Sequence, residues 1–306
     1  MRRFATSMFF AAAACFALPA AAQAQDEVPP ADNTILVEGE LPDGGVAIRR
    51  QARDVTQRLG SSLTPLSRFR RPVCAGVWGL MTENAATVID RIYENARAAD
   101  IAVNPEAGCD ANVWVIVTDD AAASFAKLRD ENNWMVRELG RSERNAVESQ
   151  TGPVRAWNVS STRTHEGQVV QTGFDAVAGN MLSQQNGNAG GQPVVPTSNM
   201  SRSQSAVRRD IDFSVVLVSR SAMADVDAHS LADYATMRLL ATTEEPSQDI
   251  AYDTVLTLFS DRHSADRLTA FDISYLRSLY QGEGLRNGYR NLSGLDHLMA
   301  EELMRR

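Results

Sequence analysis

The chain has 306 residues, 44% of them hydrophobic and 22% charged, with a formal net charge of −8. That composition belongs to a folded globular protein. An acidic chain without a basic block excludes nucleic acid and anionic lipid as partners it is built to hold.

Residues 1–24 read as a cleaved secretory signal. Arg2 and Arg3 form the positive start, an apolar run extends from Met8 to Leu18, Pro19 breaks it, and Ala22-Gln23-Ala24 is a small-x-small cleavage site. An uncleaved anchor is the rival reading, because the apolar run is long. Lipidation at Cys15 is another, but Phe16, Ala17 and Leu18 carry the run past the cysteine. No later stretch is apolar and long enough to span a bilayer. Cleavage removes Arg2 and Arg3 and no acid, so the formal charge moves from −8 to −10 over about 280 residues. It also removes Cys15 and leaves Cys74 and Cys109, an even pair in an oxidising compartment. A disulfide is expected. A reactive or metal-binding thiol pair would call for a CxxC spacing or a nearby histidine, and neither is present.

Asp26 to Asn33 is a polar leader, and Ile35 to Leu41 alternates as a strand, with Pro42-Asp43-Gly44-Gly45 as its turn. Residues 46–72 are arginine-rich and weakly patterned, a lead-in that wraps the domain. A helix follows. Ala85, Val88, Ile89, Ile92, Tyr93, Ala96 and Ala99 recur at three- and four-residue steps, with Thr82 as the expected cap. Asn112 to Thr118 is apolar on both faces and reads as a buried central strand. Asp119 and Asp120 end it and cap a helix that turns Ala122, Phe125, Ala126 and Leu128 inward.

Pro153 to Ser161 and Gln168 to Thr172 are expected to pair as a hairpin around Glu166-Gly167. Order weakens from about Gly173 to Arg209, where Asn186 to Pro193 forms a glycine-rich tract. Ile211 to Val218 restores a strand. Leu231 to Ala241 is apolar nearly all round and so predicts a buried helix. Ser247 is the expected cap of a helix carrying Ile250, Ala251, Thr254, Val255, Leu258 and Phe259. Thr269 to Asp272 forms a capping box that opens another, with Ile273, Leu276, Leu279 and Tyr280. Leu295, Leu298, Met299 and Leu303 give a final amphipathic segment.

Candidates for chemistry are few. His229, His263 and His297 are spaced by 34 residues, and Asp227-Ala228-His229-Ser230 matches Asp261-Arg262-His263-Ser264 as D-x-H-S. The resemblance stops at the tetrapeptide; His165 stands apart. His229 and Asp233, at i and i+4, would share one helix face and could present two metal ligands. Asp119-Asp120 sits where α/β proteins place functional carboxylates, although helix capping explains it as well. No G-x-S-x-G, G-x-G-x-x-G or phosphate-binding loop occurs. Lys127 is the only lysine among many arginines. Codon usage in a GC-rich genome explains that; a choice of arginine for anion binding needs clustering, which the linear chain does not show.

The C-terminal order of the buried helix Leu231 to Ala241, the Thr254 to Phe259 segment, Leu268-Thr269-Ala270-Phe271-Asp272 and Leu276-Arg277-Ser278-Leu279-Tyr280 resembles the tail of the zincin metallopeptidases. There a metal helix precedes a methionine turn and a helix of the form LT-x-x-D leading to L-x-x-LY. The helix that would carry H-E-x-x-H reads Leu231-Ala232-Asp233-Tyr234-Ala235-Thr236-Met237-Arg238, so neither ligands nor base carry over. The resemblance implies a degenerate, non-catalytic relative. The mature chain also resembles a family of uncharacterised exported proteins of Gram-negative bacteria. The matching stretches are Pro65 to Phe69, Cys74 to Leu80, Cys109 to Val113 and Leu231 to Tyr234.

Three segments are therefore expected: a signal at 1–24, an extension with one short strand at 25–65, and an α/β domain at 66–306 with a flexible loop at about 173–210. The domain is expected to be zincin-like, with a mixed sheet and a mainly helical C-terminal third. The function expected is a non-catalytic periplasmic binding or scaffold module, periplasmic or secreted, with an envelope protein as the partner its compartment suggests. The alternative is a metallopeptidase-like periplasmic hydrolase with a non-standard site. No catalytic, metal or cofactor-binding residue is assigned, and no cofactor is expected.

Overall fold

The computed structural model describes residues 41, 43, 45–57, 64–170, 204–247, 249–282 and 284–305. The signal, the Ile35–Leu41 strand apart from Leu41, and the glycine-rich tract lie outside these residues.

Among these residues four strands form one mixed sheet in the order β1-β2-β4-β3. They are β1 (Ala75–Trp78), β2 (Val113–Thr118), β3 (Val154–Thr164) and β4 (Val207–Ser219). β1, β2 and β4 run parallel, and β3 is antiparallel to β4. β2 is central, as its two apolar faces require. Val113, Val115 and Val117 join the main core, while Trp114 and Ile116 pack into a smaller core on the opposite face. That smaller core lies under α3 (Ala121–Asp130), α4 (Trp134–Arg137) and α5 (Arg141–Glu148), with Phe125 edge-on to Trp157 at 5.2 Å. The larger core is built from α1 (Val46–Val55), α2 (Thr82–Ala98), α6 (Ala228–Leu240), α7 (Ala270–Tyr280) and α8 (Leu295–Arg305). The chain is thus an α/β protein with helices on both faces of its sheet.

α6 is the axis of the larger core. Every residue from Ser230 to Leu240 is buried, as its all-round apolar sequence demands. It packs on α2 on one side and on β2, β3 and β4 on the other. The Thr269 capping box forms as expected: the Thr269 hydroxyl accepts from the Asp272 N–H, and the Asp272 carboxylate accepts from the Thr269 N–H. Cys74 and Cys109 are disulfide-bonded, with their Cα atoms 6.2 Å apart. They tie the start of β1 to the approach to β2. Among the described residues no helix is long and apolar enough to cross a membrane.

Several expectations are corrected. The lead-in at 46–72 contains α1, whose inward positions are Ile48, Gln51, Ala52 and Val55. A polar residue in a four-position stripe hid its period. Gln51 is satisfied inside: its Oε1 accepts from the N–H groups of Ala251 and Tyr252, both at 2.9 Å, and its Nε2 donates to the Tyr252 carbonyl at 2.7 Å. Those bonds hold Ala251 and Tyr252 out of the helix expected after Ser247. Only a 3-10 turn, Val255–Thr257, forms there, capped by Thr254. Ser247 instead bonds Asp54. The Glu166-Gly167 turn exists, with Arg163 bridging Val169, but the long partner of β3 is β4. The ladder therefore closes from Thr164↔Val207 to Val154↔Val218, and β4 begins before the expected Ile211. Thr82 is the first helical residue of α2 rather than its cap. Ala122 and Leu303 are exposed where inward positions were expected.

Candidate functional site

α6 carries two buried charges, Asp233 and Arg238, and the surroundings of the two differ. Asp233 is fully buried. Arg91 of α2 grips it with Nε to Oδ1 at 2.7 Å and Nη2 to Oδ2 at 3.0 Å. Asn95 Nδ2 adds a donor at 2.6 Å, and the Leu268 N–H another at 3.1 Å. This carboxylate is saturated by a fork of guanidinium N–H groups and two amide donors. It fastens α2 and the approach to α7 onto α6.

His229 and Asp233 do not come together as a ligand pair. Asp227 caps α6 by accepting from the Ser230 N–H at 2.8 Å, and His229 lies exposed in the first turn. Asp227 also accepts from Arg267 at 2.8 Å, and that partner, together with the Ser230 N–H, holds its carboxyl down at about 2. The other D-x-H-S copy caps no helix: the Ser264 hydroxyl bonds Thr257 and Thr254 in a loop, and His263 stands beside Asp266 at the surface. His297 pairs with Glu301, and His165 is exposed. Asp120 caps α3 through the N–H groups of Ala122 and Ala123, whereas Asp119 projects into solvent beside Arg220. No group of three or more His, Cys, Asp or Glu among the described residues stands close enough to hold a metal ion.

Arg238, five residues along α6, lines a cavity of about 620 Å³. Its neighbours there come from α1 (Arg53, Asp54), from the loop after α5 (Gln150, Thr151) and from the chain after α6 (Glu244, Glu245). Arg238 is 5% exposed. Its Nη1 donates to the Tyr234 hydroxyl at 2.9 Å, and its Nη2 reaches Gln150 Oε1 at 3.5 Å. The guanidinium also lies 5.8 Å from the centre of the Tyr234 ring. Its Nε has no partner, and no carboxylate pairs with it among the described residues. Both groups that touch it are themselves fixed. Gln150 bonds the Ala156 N–H and carbonyl at 2.8 and 2.7 Å, and Tyr234 packs edge-on against Phe259 at 4.9 Å. Burial pushes the Tyr234 hydroxyl up, so it stays a neutral donor and acceptor.

A buried cation with only neutral partners is costly, and an anion delivered to it recovers part of that cost. The described lining residues include hydroxyls but neither histidine nor cysteine. Ser149 donates to the Ala146 carbonyl, and Ser247 to Asp54. The arrangement therefore suits holding a charge better than activating a nucleophile. The sequence reading missed Arg238. Its signal was present: a single arginine, with Asp233 as the one other charge, inside the largely apolar eleven-residue run Leu231 to Ala241.

The arginine clustering absent from the linear chain does appear in three dimensions. Arg70, Arg163 and Arg208 converge on buried Asp210, at 3.9, 3.6 and 3.1 Å. There an acid sits at the centre, so the charges answer one another within the fold. No family model, curated protein or solved structure matches the chain.

Proposed function

We propose that this chain is an exported, non-catalytic binding module whose pocket beside α6 takes a small organic carboxylate on Arg238. The observation that carries the reading is a buried arginine that pairs with no carboxylate among the described residues, on the wall of an open polar cavity. Tyr234 and Gln150 orient the guanidinium, so little side-chain entropy remains to be lost on binding. The signal-like first 24 residues and the Cys74–Cys109 bond support export to an oxidising compartment, which in a Gram-negative cell is the periplasm. As part of the same proposal, the fold is a degenerate relative of the zincins. Its support is the order of α6, a tight turn at Val255–Thr257 and the capped helix α7, with no histidine in the metal-helix position.

The test is thermal unfolding of the mature chain against propionate, succinate and benzoate, with chloride as control. Binding raises the midpoint with ligand concentration, by about 2.7 kcal/mol of stability at a hundredfold excess over Kd. Arg238→Met is expected to remove the response. An unchanged midpoint with every carboxylate would overturn the reading. Turnover in a peptidase or esterase screen, lost in a chelator, would instead favour the hydrolase.

A further inference from the structure

We propose that a second cavity, between the end of α7 and the start of α8, takes a neutral, hydroxyl-rich ligand of the saccharide class, with the Asn291 amide as the donor that fixes it. This cavity has a volume of about 500 Å³ and shares no described lining residue with the one beside Arg238, so the proposal stands apart from the anion reading.

The wall is built by the sequence that follows α7. Gly282 and Gly284 take positive φ, +64° and +66°, which glycine adopts without strain. A Cβ at Gly284 would stand 2.7 Å from the Arg68 Nε. Arg68 cannot yield there. It is 3% exposed and donates to the carbonyls of Leu279, Tyr280, Gln281 and Gly282, at distances between 2.6 and 3.2 Å. The Ser205 N–H donates to the Leu285 carbonyl at 2.7 Å and ties the same stretch to the approach to β4. A wall held in this way is formed before a guest arrives, and its volume is of the size that small-molecule sites have. Its chemistry is neutral and polar. The described lining holds no Asp, Glu, His or Cys, one arginine, Arg286, and one large apolar side chain, Leu285. Arg286 already donates to the Ser293 hydroxyl. Asn291, on the 3-10 turn Tyr289–Leu292, is the one buried polar side chain of that lining, 8% exposed, and its Nδ2 has no partner. A buried amide donor without an acceptor is costly. The terminal torsion of asparagine is soft, so the amide can turn this donor to an oxygen in the cavity it lines. Gln281 adds a second amide to the wall, and Gly294 leaves room for it: a Cβ there would come within 3.1 Å of the Gln281 Oε1. Each amide sets a donor beside an acceptor, the pattern that neighbouring hydroxyls of a sugar answer. A simple anion would find a single guanidinium that is already engaged. A peptide would lack apolar recesses for its side chains, and a nucleobase an aromatic plane to stack on.

The test is chemical-shift titration of the mature chain with D-glucose, N-acetyl-D-glucosamine and maltose, beside L-alanyl-L-alanine and inorganic phosphate. Thermal midpoints do not serve for the titration, because sugars excluded from a protein surface raise them without binding. At least one sugar is expected to give saturable shifts at the backbone amides of Gly282, Gly284, Ser293 and Gly294, and to bind at least about tenfold more tightly than the dipeptide or phosphate. Asn291→Leu fills the same space without a donor and should weaken that sugar about tenfold, while the unfolding midpoint holds or rises. Asn291→Asp, which replaces the donor with an acceptor, should weaken it likewise and serves if the leucine variant does not fold. Arg238→Met should leave sugar binding unchanged. No saturable shift at those amides with any of the three sugars would overturn the proposal. So would undiminished affinity in the Asn291 variants, dipeptide or phosphate binding as tightly as the best sugar, or loss of sugar binding in Arg238→Met, which would move the guest to the other cavity.

Discussion

Asp233 and Arg238 sit one turn and a half apart on the same buried helix, yet they stand in opposite electrical states. Asp233 meets a bidentate guanidinium and two further donors. Arg238 meets a tyrosine hydroxyl and an amide oxygen, with an empty space beside it. The first arrangement holds helices together. The second leaves a charge for something outside the fold to answer. A buried charge is thus informative chiefly through what surrounds it, and α6 provides both cases in one scaffold.

The contrast breaks most visibly at Asp233. Asp233→Ala removes the acceptor of the buried Leu268 N–H and the closer acceptor of Arg91 and Asn95, which keep Glu94 at 3.3 Å and Thr236 at 3.1 Å, and leaves a void in the core, so it should cost about 3–4 kcal/mol. Denaturant unfolding measures this, and a loss below about 1 kcal/mol would dissolve the distinction. The Cys74–Cys109 bond, remote from both charges, gives a yardstick. It spans 35 residues, and Cys74→Ser with Cys109→Ser should cost about 3–4 kcal/mol on chain-entropy grounds. An effect as large as that of Asp233→Ala from a purely topological change would show that the buried ion pair is ordinary in scale.

Asp272 sharpens the comparison as an intermediate case. It is buried and accepts only from uncharged donors: the Thr254 hydroxyl at 2.6 Å, the Val255 N–H at 2.9 Å and the Thr269 N–H at 3.0 Å. Burial outweighs these bonds and pushes its carboxyl up to about 6 from an ordinary 3.8. The folded state therefore binds the extra proton between those values. Its contribution is most favourable below about pH 4, declines as pH rises through 6, and is level above. The decline should reach at most about 3 kcal/mol, and Asp272→Asn should flatten it. Asp227, held at about 2, acts in the opposite sense and only below its ordinary range, so the two windows separate. A stability that rises between pH 4 and 6 and is insensitive to Asp272→Asn would contradict this account. The smallest change is expected at Arg238 itself: Arg238→Met should leave stability within about 1 kcal/mol or raise it, since a desolvated charge is exchanged for an apolar chain of similar length.

Much of the frame was legible from residues alone. The β2 run, the largely apolar α6, the Asp120 cap, the Thr269 box and the cysteine pair each carry a local signal strong enough to survive packing. What was missed depends on partners far along the chain. α1 hides because Gln51 takes an inward position that makes sense only beside Ala251 and Tyr252, some two hundred residues later. The same contact cancels the helix expected after Ser247. β3 was paired with its nearest neighbour because a glycine turn is visible locally, whereas the β4 ladder is closed across the 165–206 interval. The site was the least legible part. Arg238 looks like any arginine until α1, the loop after α5 and the chain after α6 enclose it and, among the described residues, no acid pairs with it.

The most direct test of that central point pairs two readings on two proteins, the wild type and Arg238→Met: the unfolding midpoint, and the affinity for propionate, succinate and benzoate. The account predicts that the substitution abolishes binding while the midpoint holds or rises. A variant that unfolds several kcal/mol more easily, beside a wild type that binds nothing, would make Arg238 a structural residue and contradict it.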